Sequence, residues 1–201
     1  MKKIFSTLLA ASLMLLGTQA FAQMSVNAGY LNSSRTKTNA KTTNANGAYA
    51  GISFNLPLSG GLGIAPGVYY SLISGKELDL GSIATSTLTE HAINVPVYLN
   101  YAFSLSRDTN FFLFGGPTLQ YALATNITGA SELIGKSGTT SMYDIDKDYN
   151  RMNVYLGGGV GFKAGAIQII VGYDYGMMDL YKDENRQGHR SNLKIGVGFA
   201  F

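Results

Sequence analysis

Apolar side chains recur at every second position through the last eight residues, Lys194-Ile195-Gly196-Val197-Gly198-Phe199-Ala200-Phe201. Successive strand side chains point to opposite faces, so Ile195, Val197, Phe199 and Phe201 share one face and Lys194, Gly196, Gly198 and Ala200 the other. Terminal residues ordinarily fray into water. A last residue that is a large aromatic therefore leads to the expectation that this strand lies against something apolar. The same period-two pattern returns in seven earlier segments, and it restricts the chain to sheet with one oily face and one face of small and polar residues.

Those segments run from about Met24 to Ser33, Gly47 to Leu56, Leu62 to Ile73, Glu90 to Phe103, Asn110 to Leu123, Arg151 to Ala164 and Ala166 to Met178. In the fourth, Ile93, Val95, Val97, Leu99, Tyr101 and Phe103 oppose Asn94, Pro96, Tyr98, Asn100 and Ala102. In the sixth, Val154, Leu156, Val160 and Phe162 oppose Asn153, Tyr155, three glycines and Lys163. Each segment is close to the roughly ten residues a tilted membrane-crossing strand needs. The oily faces carry no charge, and a Lys or Arg there would cost about 2–4 kcal/mol at mid-bilayer. The small and polar faces hold Lys163, Asp174 and Lys194, which are expected to be lumen charges, with Asp174 paired to Lys194 or Lys163.

The N-terminus reads as a cleaved signal peptide: Lys2 and Lys3, an apolar run from Ile4 to Leu16, and Ala20-Phe21-Ala22 before Gln23. The run is shorter than the ~20 residues of a spanning helix. The expected division is residues 1–22 as signal peptide and 23–201 as one barrel domain. A membrane protein without an apolar helix must be a closed barrel, because only helices and barrels satisfy their backbone groups in lipid. Cysteine is absent, which excludes disulfides, thiolate metal sites, a cysteine nucleophile and a lipid-modified cysteine after the signal. Once Lys2 and Lys3 are set aside, 13 basic residues stand against 12 acidic ones, so no basic excess argues for nucleic acid as a partner.

Connections alternate in length. Short turns fall near Pro57 to Gly61, Ser104 to Thr109 and at Gly165, and long polar loops near Ser34 to Asn46, Ser74 to Thr89, Ala124 to Asn150 and Asp179 to Arg190. Short periplasmic turns and long external loops are the habit of outer-membrane barrels. The expected fold is all-β: an eight-stranded antiparallel up-and-down transmembrane β-barrel. An eight-stranded barrel is just wide enough for side chains to fill, and Tyr49, Tyr69, Tyr98, Phe112, Phe114 and Tyr155 are expected inside, plugging it. A soluble lipocalin-like barrel would need the reverse arrangement, with every oily face crowded into one lumen.

Two stretches carry a family resemblance. The end of the chain, polar-x-Gly-x-x-aromatic-x-aromatic from Lys194 through Gly196 and Phe199 to Phe201, resembles the assembly signal of bacterial outer-membrane β-barrels. The segment His91-Ala92-Ile93-Asn94-Val95-Pro96-Val97-Tyr98-Leu99-Asn100-Tyr101 looks like a strand of the outer membrane protein β-barrel domain family, often labelled "porin family" and common in Bacteroidetes. Gly157 to Gly161 is similar too. In size and layout the chain resembles OmpA- and OmpX-type barrels. The resemblance implies the bacterial outer membrane as location, lipid, lipopolysaccharide and the barrel-assembly machinery as partners, and no general catalytic residues.

Other chemistry is thin. His189 stands near Asp183 and Glu184 in the last loop, an acid–histidine neighbourhood that general-base catalysis would use. His91 reads as an interfacial or lumen residue. No G-x-S-x-G elbow is present. Asp144, Asp146 and Asp148 alternate as calcium ligands do, but the glycine and distal glutamate of an EF-hand are out of register. Arg35, Lys37 and Lys41 in the first long loop are available to neighbouring surfaces or lipopolysaccharide phosphates, although plain solvation is the favoured reading of this loop. The expected function is therefore structural or interactive, envelope integrity or display of loops to outside partners, with no catalytic residues, cofactor or metal. A narrow pore for water, ions or small solutes is the alternative, followed by an envelope enzyme acting on lipid or peptide, or a secretion accessory.

Overall fold

The structure is a computed structural model and describes residues 23–37, 42–79, 84–131, 136–145, 150–179 and 188–201. The signal-peptide reading of residues 1–22 lies outside them. Among the described residues nine strands form: β1 Gln23–Lys37, β2 Thr43–Pro57, β3 Leu62–Asp79, β4 Ala84–Ser104, β5 Thr109–Ser131, β6 Lys136–Ser141, β7 Met152–Ala164, β8 Ile167–Gly176 and β9 Gly188–Ala200, with a helical turn, α1 Met142–Ile145, after β6. The hydrogen-bonded order β4-β3-β2-β1-β9-β8-β7-β5 is closed by a β4–β5 pairing, giving a ring of eight strands with β6 attached outside it to β5. Every pairing is antiparallel, so the ring is an up-and-down barrel.

The alternation decides which way the wall faces. Leu99 and Ile169 are 55% and 51% exposed, whereas Asn27 and Tyr155 are 1% and 0% exposed. Large apolar side chains cover the outside and amides fill the inside, the inverse of a water-soluble protein and incompatible with a lipocalin-like core. Tyr30, Tyr70, Tyr121 and Tyr175 sit toward the loop end of the outer surface, and Tyr101, Phe103, Phe199 and Phe201 toward the turn end, all exposed. They supply two aromatic girdles without tryptophan. Among the described residues no helix is long and apolar enough to cross a membrane, so the strands do the crossing.

The three short connections are tight turns at residues 58–61, 105–108 and 165–166. Gly165 has φ 59°, the left-handed region in which a Cβ costs about 1–2 kcal/mol. The long connections differ from the sequence reading. Much of what reads as loop from Ser34, Ser74 and Ala124 continues as strand: β4 has 21 residues and β5 has 23, about twice what a membrane crossing takes. The upper halves of these strands stand outside the bilayer. Their outer faces are wet and their inner faces bury mostly small, polar and charged side chains, Glu90 and Thr125 among them, so no continuous apolar alternation marks them. They are held instead by ladder bonds and by polar rungs such as Thr128 to Thr139 at 2.9 Å, Ser34 to Asn44 at 2.8 Å and Asn32 to Asn46 at 2.8 Å. Threonine also suits a strand conformationally.

Candidate functional site in the barrel lumen

The lumen is built in layers from the inward rows. Nearest the turns, Asn100 donates to Asn55 at 2.8 Å and Lys163 to Gln23 at 3.0 Å. Next, Gln168 donates to Asn27 at 2.6 Å, and Asn27 donates to Ser53 and to the Tyr69 hydroxyl, each at 3.1 Å. Buried amides joined this way satisfy one another, which a lipid-embedded lumen requires.

The middle layer is aromatic, and glycines make room for it. Phe112 lies over Gly161, where an added Cβ would collide with its ring, and Phe114 reaches Gly159 and Gly172. The Tyr49 hydroxyl occupies the space above Gly196. Tyr49 packs edge-on to Tyr69 with centroids 5.9 Å apart, and Tyr98 against Phe114 at 5.1 Å. Beside these rings Lys194 pairs with Asp174 at 2.5 Å and donates to the Tyr98 hydroxyl at 3.0 Å. Tyr98 also bonds Thr118 at 3.0 Å and reaches Asp174 at 3.4 Å. Of the three predicted lumen charges, Asp174 and Lys194 therefore meet, and Lys163 lies nearer the turns.

The loop end holds a layer the sequence reading missed. Arg190 Nη1 and Nη2 donate to Glu90 Oε1 and Oε2 at 2.5 and 2.9 Å, and Arg35 Nη2 stands 3.6 Å from Oε2. All three side chains are buried. Arg190 also donates to Gln120 at 3.1 Å, and Gln120 accepts from the Tyr155 hydroxyl at 2.9 Å while donating to Asn94 at 3.1 Å. Outside this layer, Thr125 bonds the hydroxyl of Tyr143 on α1 at 3.0 Å, and the Arg151 guanidinium lies 3.7 Å from the centre of the Tyr143 ring. Arg35 thus faces inward and does not reach lipopolysaccharide phosphates: Ser33 and Arg35 continue the inward parity of Asn27. The same parity, extended past the apolar segments to Glu90 and Arg190, is the signal that would have found the layer.

The remaining candidates lie elsewhere. His91 is on the outer surface beside Tyr70, whose hydroxyl meets its Nδ1. His189 is also outward, stacked on Tyr175 at 5.8 Å, with Nε2 3.8 Å from Asp179. Lys37 ends β1, and Asp144 is exposed on α1. Lys41, Asp146, Asp148, Asp183 and Glu184 lie outside the described residues. Of the C-terminal motif, Lys194 and Gly196 face the lumen, while Phe199 and Phe201 pack edge-on at 5.0 Å on the outer surface.

The family model described as "Outer membrane protein beta-barrel domain" matches residues 17–182. No curated protein matches the chain. Among solved structures, Ail, the attachment invasion locus protein of Yersinia pestis, aligns with a TM-score of 0.51 at 14% identity over 90% of this chain and 99% of that one. Ail in complex with the heparin analogue sucrose octasulfate gives 0.54 at 12% identity over the same shares. The outer membrane protein OprG from Pseudomonas aeruginosa gives 0.44 at 13%, over 90% and 96%. At these identities the likeness to Ail is one of fold.

Proposed function

This chain belongs to the outer membrane protein β-barrel domain family, and from that premise we propose that it is a structural and surface-interacting barrel, closed to solutes, whose working surface is its outer hairpins. As a member of that family it resides in the bacterial outer membrane, with lipid against its oily exterior. The observation that carries the proposal is the Glu90–Arg190 pair. It joins β4 to β9, which stand four strands apart in either direction around the ring, and so it spans the lumen. With Gln120 and Tyr155 it fills the cross-section at the loop end, while β4, β5 and β6 rise beyond it. That arrangement favours display, or reinforcement of the envelope, over transport. In this reading no side chain is catalytic: His91 and His189 face the membrane interface, and each is partnered by a tyrosine.

Planar-bilayer recording tests the closed lumen. The purified protein should give no steady unit conductance, and Glu90→Ala/Arg190→Ala should give one. Steady currents from the wild type would instead support the narrow pore, the reading favoured by the open space nearer the turns. For the envelope role, a deletion strain should become more sensitive to detergent and recover on re-expression; unchanged sensitivity would leave display to an extracellular partner as the function.

A further inference from the structure

At the loop end of the lumen Glu90, Arg190, Gln120 and Tyr155 are buried, whereas the inward side chains of Asn55, Asn100, Asn110 and Lys163 beside the turns are partly exposed. Below the Glu90–Arg190 layer lies a cavity of about 180 Å³, which reaches down to Asn55, Asn100, Asn110 and Lys163. These residues stand next to the short turns, the periplasmic side of such a barrel. Its wall carries the rings of Tyr69, Phe112 and Phe114 beside amides such as Asn27 and Asn94, and Ala65 and Ala102 present only small side chains to it. The described lining contains two lysines and one acid. Asp174 is committed to Lys194 at 2.5 Å, which makes the deep pair neutral. The remaining cation of that lining is Lys163 at the mouth, which donates to the neutral amide of Gln23 at 3.0 Å, a solvent-exposed bond.

Size, walls and charge select one class of ligand. An apolar cavity of roughly 150 Å³ accepts a benzene ring, so this space takes one ring and excludes a lipid chain or an oligosaccharide. The aromatic walls favour a planar occupant packed edge-on or offset. The single uncompensated cation at the mouth matches one negative charge. We propose that the barrel carries a blind, periplasm-facing binding site for a small monocyclic carboxylate, its ring against Phe112 and Tyr69 and its carboxylate at Lys163 beside the amides of Asn55 and Asn110. The site is independent of the display role, because it lies at the opposite end of the barrel.

The test is a titration of the purified full barrel in detergent with benzoate, alongside benzyl alcohol, which has the ring without the charge, followed by equilibrium dialysis or NMR shifts. Benzoate should bind saturably, about threefold or more tighter than benzyl alcohol, as a partly exposed ion pair provides. Lys163→Gln should bring benzoate to the level of the alcohol. Ala65→Phe, which fills the cavity, should abolish saturable binding of both. The heat-dependent gel shift of a folded barrel verifies each variant, and Ala102→Leu fills the same space if Ala65→Phe fails to fold. Benzoate uptake that does not saturate, that is unchanged by the filling variants, or that is matched by the alcohol would overturn the proposal.

Discussion

Glu90 and Arg190, 100 residues apart in the chain, meet across the full width of the lumen through two hydrogen bonds at 2.5 and 2.9 Å. Both are buried, so the energetic question is what happens when one is removed. The attraction of a buried pair is set against heavy desolvation, and breaking it by deleting one partner typically costs about 3–5 kcal/mol because the other charge is left in low dielectric. Here the partners are unequal. Glu90 is the acid facing both Arg190 and Arg35, whereas Arg190 removed still leaves Glu90 with Arg35 at 3.6 Å. Glu90→Ala should therefore destabilise more than Arg190→Ala, by about 3–5 kcal/mol against a smaller loss. The double variant should fall short of the sum by about 1–3 kcal/mol, the range of direct coupling. Urea unfolding in lipid vesicles, followed by gel mobility because the chain has no tryptophan, measures all three. Equal losses from the two single variants would show that Arg35 does not share the acid.

A second lumen pair, a buried Asp174 with a partly exposed Lys194, separates charge from hydroxyl. Lys194 has Asp174 at 2.5 Å and the Tyr98 hydroxyl at 3.0 Å. Asp174→Ala strips the cation of its counter-charge and should cost about 3–5 kcal/mol. Tyr98→Phe removes one hydrogen-bond partner each from Lys194 and Thr118 and should cost only about 1–3 kcal/mol. The same unfolding assay orders them. A larger loss from Tyr98→Phe would mean that its hydroxyl, and not Asp174, is the partner on which Lys194 chiefly depends.

The glycine floor makes a packing prediction. A methyl at Gly161 would press on the far edge of the Phe112 ring. Overpacking of this kind costs about 1–3 kcal/mol, so Gly161→Ala should lower stability by that amount. Phe112→Leu in the same chain should restore part of it, because the obstruction is the tip of one side chain. No rescue would place the strain in the backbone between β7 and its neighbours.

How much of this was readable beforehand depended on where lipid presses on the chain. Along Ile93 to Phe103 or Ile167 to Met177 the hydrocarbon tolerates no charged or amide side chain on the outward face, so the alternation, the strand count and the inward direction of Phe112 and Phe114 are plain in the residues. Above the bilayer that pressure ends. Thr85 to Thr89 and Thr125 to Thr128 form strand because their backbone bonds pair and threonine fits a pleat, not because one face is oily, so they read as loop. The Arg35, Glu90 and Arg190 layer was missed for the same reason: each residue lies just past its apolar run, where parity still holds but nothing advertises it. The helical turn α1, held by Met142 against Ile127, is too short to announce itself by any period.

The C-terminal motif mixes residues that pack with one residue that barely does, and this allows assembly to be separated from stability. Lys194 and Gly196 belong to the lumen, so changing them would damage the folded barrel as well as any signal. Phe201 is different. It is 68% exposed, its ring touches Phe199 edge-on at 5.0 Å, and its backbone N–H donates to the carbonyl of Met24 at 2.8 Å, a bond that alanine at this position also makes. An aromatic pair contributes about 0.5–1.5 kcal/mol, so Phe201→Ala should leave the refolded barrel within about that margin of the wild type. If the final strand is what the assembly machinery reads, the same substitution should lower the amount found in the outer membrane severalfold while periplasmic material accumulates. Membrane levels that stay unchanged, or that fall only as far as the stability loss accounts for, would remove Phe201 from the assembly signal.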